Sequence, residues 1–341
     1  MLLSSARSLL AIPLAVFSIT TAIAQKQSFH IAQTFHIASP GKWDYIAVSP
    51  VTDNIYVSHG TQVNILNKNT GDSVGVIPNT TGVHGISFAP ALNKGFTSNG
   101  KLNTLTVFDI KTNTVTGEIK TGENPDAIMY DDYSKRIYVC NGKSADLSIV
   151  DPADNKVIKT VALGGKPETA VSDDAGKIYI NIEDKNEIVV LDTKSMEVLH
   201  RWKIGKGEEP AGLAIDTKTK RLYAGCGNKV LIVVNAENGK VIKEIAIGDG
   251  SDGVVFDAER KLIFSANGDG TLTVIKEKSA DKYEVVENAI TKKGARTIAL
   301  DEKTHKIYMP TADFEAAKGN DPHARPSMIP GSFQILVVND K

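Results

Sequence analysis

The sequence predicts an all-β chain closed into a seven-bladed β-propeller, and three observations predict it. An aromatic recurs in a short apolar motif at Tyr56, Phe96, Tyr138, Tyr179, Tyr223, Phe264 and Tyr308, with spacings of 40, 42, 41, 44, 41 and 44 residues. Each period carries four short strand-like segments parted by turn residues, the pattern of a propeller blade. The two chain ends hold complementary fragments, a fourth-type strand at the start and a third-type strand at the finish.

The segment 1–24 reads as a signal peptide. Arg7 is its only charge, and residues 9–19 form an apolar run too short to span a bilayer comfortably. Ala22, Ile23 and Ala24 give a small-x-small cleavage pattern, so the mature chain is expected to be 25–341, a single domain, periplasmic or secreted. No later segment is apolar and long enough to cross a membrane.

The strand "FHIAQTFHIAS" (29–39) comes next, with no blade of its own. Within each period the first strand follows a Pro- or Asp-type turn, as in "PDAIMYD". The second carries the aromatic, as in "KRIYVCN". The third is nearly all apolar, as in "LSIVD", and the fourth alternates, as in "KVIKTVAL". "NTG", "DAG" and "ENG" mark turns between them. The closing "FQILVVND" lacks a fourth strand, so the N-terminal strand is expected to supply it in a 3+1 closure, leaving no open sheet edge.

One blade is longer than the rest. From the aromatic to the end of the third strand is 11 to 13 residues in six blades and 31 in the seventh. The excess lies in the loop 312–332, on the face where first strands begin and second strands end. Phe314, Met328 and Ile329 can dock it and Pro322, Pro326 and Pro330 stiffen it. It is either an ordered flap at the channel mouth or a brace for the closing blade.

The mouth is expected to display the first residues of the seven first strands: Asp44, His84, Asp126, Glu168, Ala211, Asp252 and Arg296. Second-strand exits add His59, Asn99, Asn141, Glu183, Gly227 and Asn267, and the loop adds Asp313, His323 and Arg325. Converging acids must be offset. Three readings follow: turn caps, a site for a polar or cationic small ligand, or a divalent-metal site drawing on His59, His84, Asp44 and Asp126. Trp43 either stacks on a ligand or plugs the channel.

Other motifs carry no chemistry. "GDGSDG" matches a dinucleotide fingerprint literally, but a strand follows where a helix is needed. No GxSxG is present. Cys140 and Cys226 fall two blades apart and read as buried free thiols. Without Arg7 the chain has 38 basic residues against 40 acidic, a net −2, which disfavours nucleic acid.

The "IYV" motifs at this period resemble the YVTN-type 40-residue repeats of YncE-like exported seven-bladed propellers, over the whole mature chain. The resemblance implies the fold and an ordered insertion in the last blade. It leaves function open, since related propellers include binding proteins, lactonases and cofactor-dependent oxidoreductases. The leading expectation is a monomeric binding scaffold that takes a small molecule or a protein at the mouth face. The alternatives are a metal-assisted, lactonase-like hydrolase at the same mouth, and a single-stranded nucleic-acid binder.

Overall fold

The computed structural model describes residues 28–315 and 327–340. The expected leader, and with it the cleavage site, lies outside these residues, as do His323 and Arg325. Strand β1 (Phe29–His36) opens the chain. Blade 1 is β2 (Trp43–Val48), β3 (Asn54–His59), β4 (Gln62–Asn67) and β5 (Ser73–Ile77). Blade 2 is β6 (Val83–Ala89), β7 (Lys94–Asn99), β8 (Thr104–Asp109) and β9 (Val115–Lys120). Blade 3 is β10 (Pro125–Asp131), β11 (Arg136–Asn141), β12 (Asp146–Asp151) and β13 (Lys156–Ala162). Blade 4 is β14 (Pro167–Ser172), β15 (Lys177–Ile182), β16 (Glu187–Asp192) and β17 (Glu197–Lys203). Blade 5 is β18 (Pro210–Asp216), β19 (Arg221–Cys226), β20 (Val230–Asn235) and β21 (Val241–Ala246). Blade 6 is β22 (Ser251–Asp257), β23 (Leu262–Asn267), β24 (Thr271–Ser279) and β25 (Lys282–Ile290). Blade 7 joins β26 (Ala299–Asp301), β27 (Lys306–Thr311) and β28 (Gln334–Asp340) to β1, in the order β1-β28-β27-β26. The ring is therefore a seven-bladed propeller with the expected 3+1 closure. Every sheet is antiparallel, and the only helices among the described residues are two short 3-10 turns.

Sequence patterning explains the stacking. Second and third strands are apolar on both faces because each sheet is covered by a neighbour on either side. Ile55 and Val57 on β3 face the joint with blade 7, while Tyr56 between them faces blade 2. One apolar cluster fills each of the seven joints. Fourth strands are outermost and alternate between buried and exposed residues, as on β13. Cys140 and Cys226 lie buried in different joints and are free thiols.

The recurring tyrosine is an inter-blade latch. The Tyr179 hydroxyl donates to the Ala236 carbonyl at 2.8 Å, and that of Tyr308 to the Lys68 carbonyl at 3.0 Å. Tyr56 donates to Asn113 Oδ1 at 2.7 Å and Tyr223 to Glu277 Oε1 at 3.3 Å. Each partner sits just past or at the end of the next blade's third strand. Tyr138 differs: it bonds Ser134 of its own blade, and Arg136 Nη1 makes the crossing to the Thr193 carbonyl at 3.0 Å.

The joint between blades 7 and 1 carries an additional ion pair. Lys68 Nζ lies 2.9 Å from Asp301 Oδ2, with side chains 6% and 4% exposed. Removing one partner of such a pair strands a buried charge at a cost of about 3–5 kcal/mol, whereas removing both charges can be nearly neutral. Urea denaturation is therefore expected to show Lys68→Met destabilised by about 3 kcal/mol or more. Lys68→Met with Asp301→Asn, which keeps the turn hydrogen bonds, is expected to regain most of that loss.

Candidate functional site at the channel mouth

First strands are innermost and contact each other around the channel. In six sheets the pairing of first and second strands slips at the start of the first strand: between Trp43 and Ile46, Val83 and Ile86, Pro125 and Ile128, Pro167 and Ala170, Pro210 and Leu213, and Ser251 and Gly253. The predicted ring residues Asp44, His84, Asp126, Glu168, Ala211 and Asp252 all occupy these slips. A bulge re-aims the side chain it carries and bends the strand.

Second-strand residues hold the bulges in shape. Ser58 Oγ accepts from the Asp44 amide at 3.0 Å and donates to the Tyr45 carbonyl at 3.1 Å. Ser98 Oγ accepts from the Gly85 amide at 2.8 Å and donates to the Asp126 carbonyl of the next blade. Asn181 Nδ2 donates across the joint to the Ala211 carbonyl at 3.0 Å, and Thr297 Oγ1 to the Asp44 carbonyl at 2.5 Å. Gly212 is needed for close approach, since a Cβ there would meet the Val254 amide nitrogen at 2.6 Å.

The ring acids are matched by bases. His84 Nδ1 is 2.6 Å from Asp44 Oδ2 and 3.7 Å from Asp126 Oδ1. Lys166 Nζ is 2.5 Å from Glu168 Oε1 and also pairs with Glu183. Arg296 Nε is 2.9 Å from Asp252 Oδ2. Burial opposes charge on His84, but the Asp44 hydrogen bond and the fields of Asp126 and Asp44 outweigh it and raise its pKa. Burial pushes Asp126 up to about 6, with His84 and Lys166 pulling against it and Asp44 and Asp252 adding to it. Burial pushes Asp252 up to about 6 despite Arg296. The 30% of its side chain open to the channel lets water temper that shift. Glu168 is raised by burial and by Asp126, against the pull of Lys166.

One donor atom each from Asp44, His84 and Asp126 lie within 4.8 Å of one another. His59 does not join them, which corrects the four-residue metal set. It is fully buried, with Nδ1 2.8 Å from Ser39 Oγ and Nε2 3.1 Å from the Gly41 carbonyl. Its ring lies 4.1 Å from that of Phe333. The asparagine exits Asn99 and Asn267 turn inward too, whereas Glu183 stays partly exposed on Lys166. Asn99 and Asn267 are fully buried and donate to threonines of their own third strands, Thr104 and Thr106, Thr271 and Thr273. The sequence signal was present as an Asn followed by T-x-T on the next strand.

Two aromatic placements depart from the simplest expectations. Trp43 stacks on Phe333 at 5.3 Å and lies 6.1 Å from Phe314. Tyr45, not singled out in the sequence, reaches across the channel to the apolar cluster between blades 3 and 4. Burial and four ring acids, Asp126, Glu168, Asp44 and Asp252, hold its phenol well above the usual range.

Beside the ring, a cavity of about 620 Å³ opens between blades 6, 7 and 1. Its walls are Trp43, Phe314 and Met328, with Lys42, Lys293 and Arg296 at its edge. Gly250, Gly268 and Gly294 line it without side chains. Both ends of the last-blade loop border it, and Phe314 and Met328 pair as an isolated bridge. Lys292 anchors the loop through Asp313 at 2.6 Å.

Comparison with solved structures finds Kuenenia stuttgartiensis Hydrazine Synthase similar, with a TM-score of 0.70 and 14% identity over 80% of this chain and 94% of that one. A likeness at that identity concerns the fold alone. No family model matches the chain. No curated protein matches it.

Proposed function

We propose that this protein is an exported binding protein of the YncE-like repeat type that takes a small ligand at its channel mouth. The observation that carries the reading is the cavity of about 620 Å³, aromatic-walled and placed directly beside a polar ring. Its size lies in the range that encloses small molecules, and ligand sites typically combine apolar walls with a few convergent polar groups. The ring acids already have basic partners among the described residues, so the ring acts as a rigid rim rather than as an open demand for a cation. Export rests on the leader read from residues 1–24. The net charge of the mature chain speaks against the nucleic-acid alternative.

Thermal-shift screening of small polar compounds tests this. Compounds that raise the wild-type melting temperature are expected to lose that effect in Trp43→Ala and in Phe314→Ala. Equal shifts in wild type and both variants would move binding away from the mouth and overturn the reading.

A second reading, metal-assisted hydrolysis at the same mouth, is favoured by one observation, the clustering of Asp44, His84 and Asp126. Three such ligands suit a divalent ion that keeps a position open for water, whose pKa the ion lowers. The 2.6 Å contact between His84 and Asp44 is a short hydrogen bond, so an ion would have to displace it. Elemental analysis of protein purified without chelator discriminates. Stoichiometric metal in the wild type that is lost in Asp126→Ala supports the hydrolase; metal-free wild type removes it.

A further inference from the structure

The mouth is acidic overall, yet the cavity beside it is not. Among the described residues that line it there is no carboxylate, whereas there are three cations: Lys42, Lys293 and Arg296. Arg296 is spent on Asp252 at 2.9 Å. Lys42 and Lys293 make no ion pair among the described residues and are exposed. Three nearby acids pair with bases, Asp313 with Lys292 at 2.6 Å, Asp249 with Lys229 at 3.1 Å, and Asp44 with His84 at 2.6 Å, while Asp269 accepts from the Asp249 amide and the Thr271 hydroxyl. Two uncommitted ammonium groups therefore flank an aromatic wall.

The shape of that wall is built in. Trp43 is held by stacking on Phe333, with Phe314 tilted 50° against it. Gly294, at φ +82°, lets Phe314 approach, since a Cβ there would lie 2.9 Å from the Phe314 ring. Gly250 and Gly268 leave the opposite side flat, with the Gly268 amide donating to the Gly250 carbonyl at 2.9 Å. Flat walls select a planar body, because ring stacking needs parallel or tilted faces. Unmatched lysines select negative charge.

We propose that the mouth cavity binds a planar aromatic anion, a carboxylate or a phosphate monoester, stacked on Trp43 with its charge between Lys42 and Lys293. This rests on the binding reading above and deepens it. Of the polar or cationic ligand expected from the ring acids, it keeps the polar character and replaces the positive charge with a negative one. The cations that matter lie two or three positions before the ring residues, Lys42 ahead of Asp44 and Lys293 ahead of Arg296.

Isothermal titration calorimetry tests the inference with four probes of one shape: 2-naphthoate, 2-naphthyl phosphate, 2-naphthalenemethanol and 2-naphthylmethylammonium. The anions are expected to bind at least tenfold more tightly than the alcohol, with no binding of the ammonium ion. Added potassium chloride is expected to weaken the anions alone. The relative affinity of the two anions identifies which acid group the site prefers. Lys42→Ala with Lys293→Ala should bring anions and alcohol to within threefold, while Trp43→Ala weakens all binders. Equal affinity of anion, alcohol and cation for the wild type would overturn the charge assignment and leave mouth binding standing. Binding of none of the four would overturn the assignment outright, and the thermal-shift screen would then judge mouth binding on its own.

Discussion

The structure depends on ring closure. Each four-stranded sheet is apolar on both faces, so no blade buries its core alone. Seven joints must be filled at once, and six of them lie between blades that are continuous in sequence. The ring is closed inside blade 7 by pairing the two ends of the described chain, β1 against β28, and the completed blade 7 then meets blade 1 at the last joint. That joint has the most specific polar chemistry: the buried Lys68–Asp301 pair, the Tyr308 latch to the Lys68 carbonyl, and Thr297 reaching the Asp44 carbonyl. Hydrophobic stacking drives assembly without direction, and these bonds fix which blade meets which.

Closure also shapes the mouth. Seven first strands crowd around one channel, and a regular strand would alternate its side chains between the two joints. In six of them a bulge at the start of the strand breaks that alternation once and turns one residue toward the channel. Four carboxylates result, close enough that burial and mutual repulsion raise Asp126, Glu168 and Asp252. His84, Lys166 and Arg296 offset them, and Tyr45 fills space among them. The rim is thus rigid and internally satisfied, which moves the open chemistry sideways to the aromatic cavity.

Much of the fold was legible because repetition amplifies a weak signal. A single "RIYVC" is an ordinary strand; seven copies at a nearly constant period specify blades, and the unequal ends specify the closure. The ring residues were legible for the same reason, as the residue after a repeated turn. Geometry hidden within the repeat was not. His59, Asn99 and Asn267 look like exposed exit residues, yet their partners sit five to seven positions along on the third strand and draw them inward. Lys166 lies two residues before the ring position that it neutralises, so aligning one column of the repeat misses it. The cavity was invisible in sequence because glycines make it: Gly250, Gly268 and Gly294 matter by what they leave empty. The stacking of Trp43 was not legible either, because its partner Phe333 sits at the other end of the chain.

The central claim is that the mouth presents a preformed aromatic cavity with unmatched positive charge beside a self-neutralised ring. A crystal structure of residues 25–341 grown with 2-naphthoate tests it most directly. The account predicts the naphthalene ring packed against the wall formed by Trp43 and Phe314, its carboxylate within reach of Lys42 and Lys293, and His84 still bridging Asp44 and Asp126. A cavity filled by protein side chains, with the ligand absent or bound on the outer strands, would contradict it.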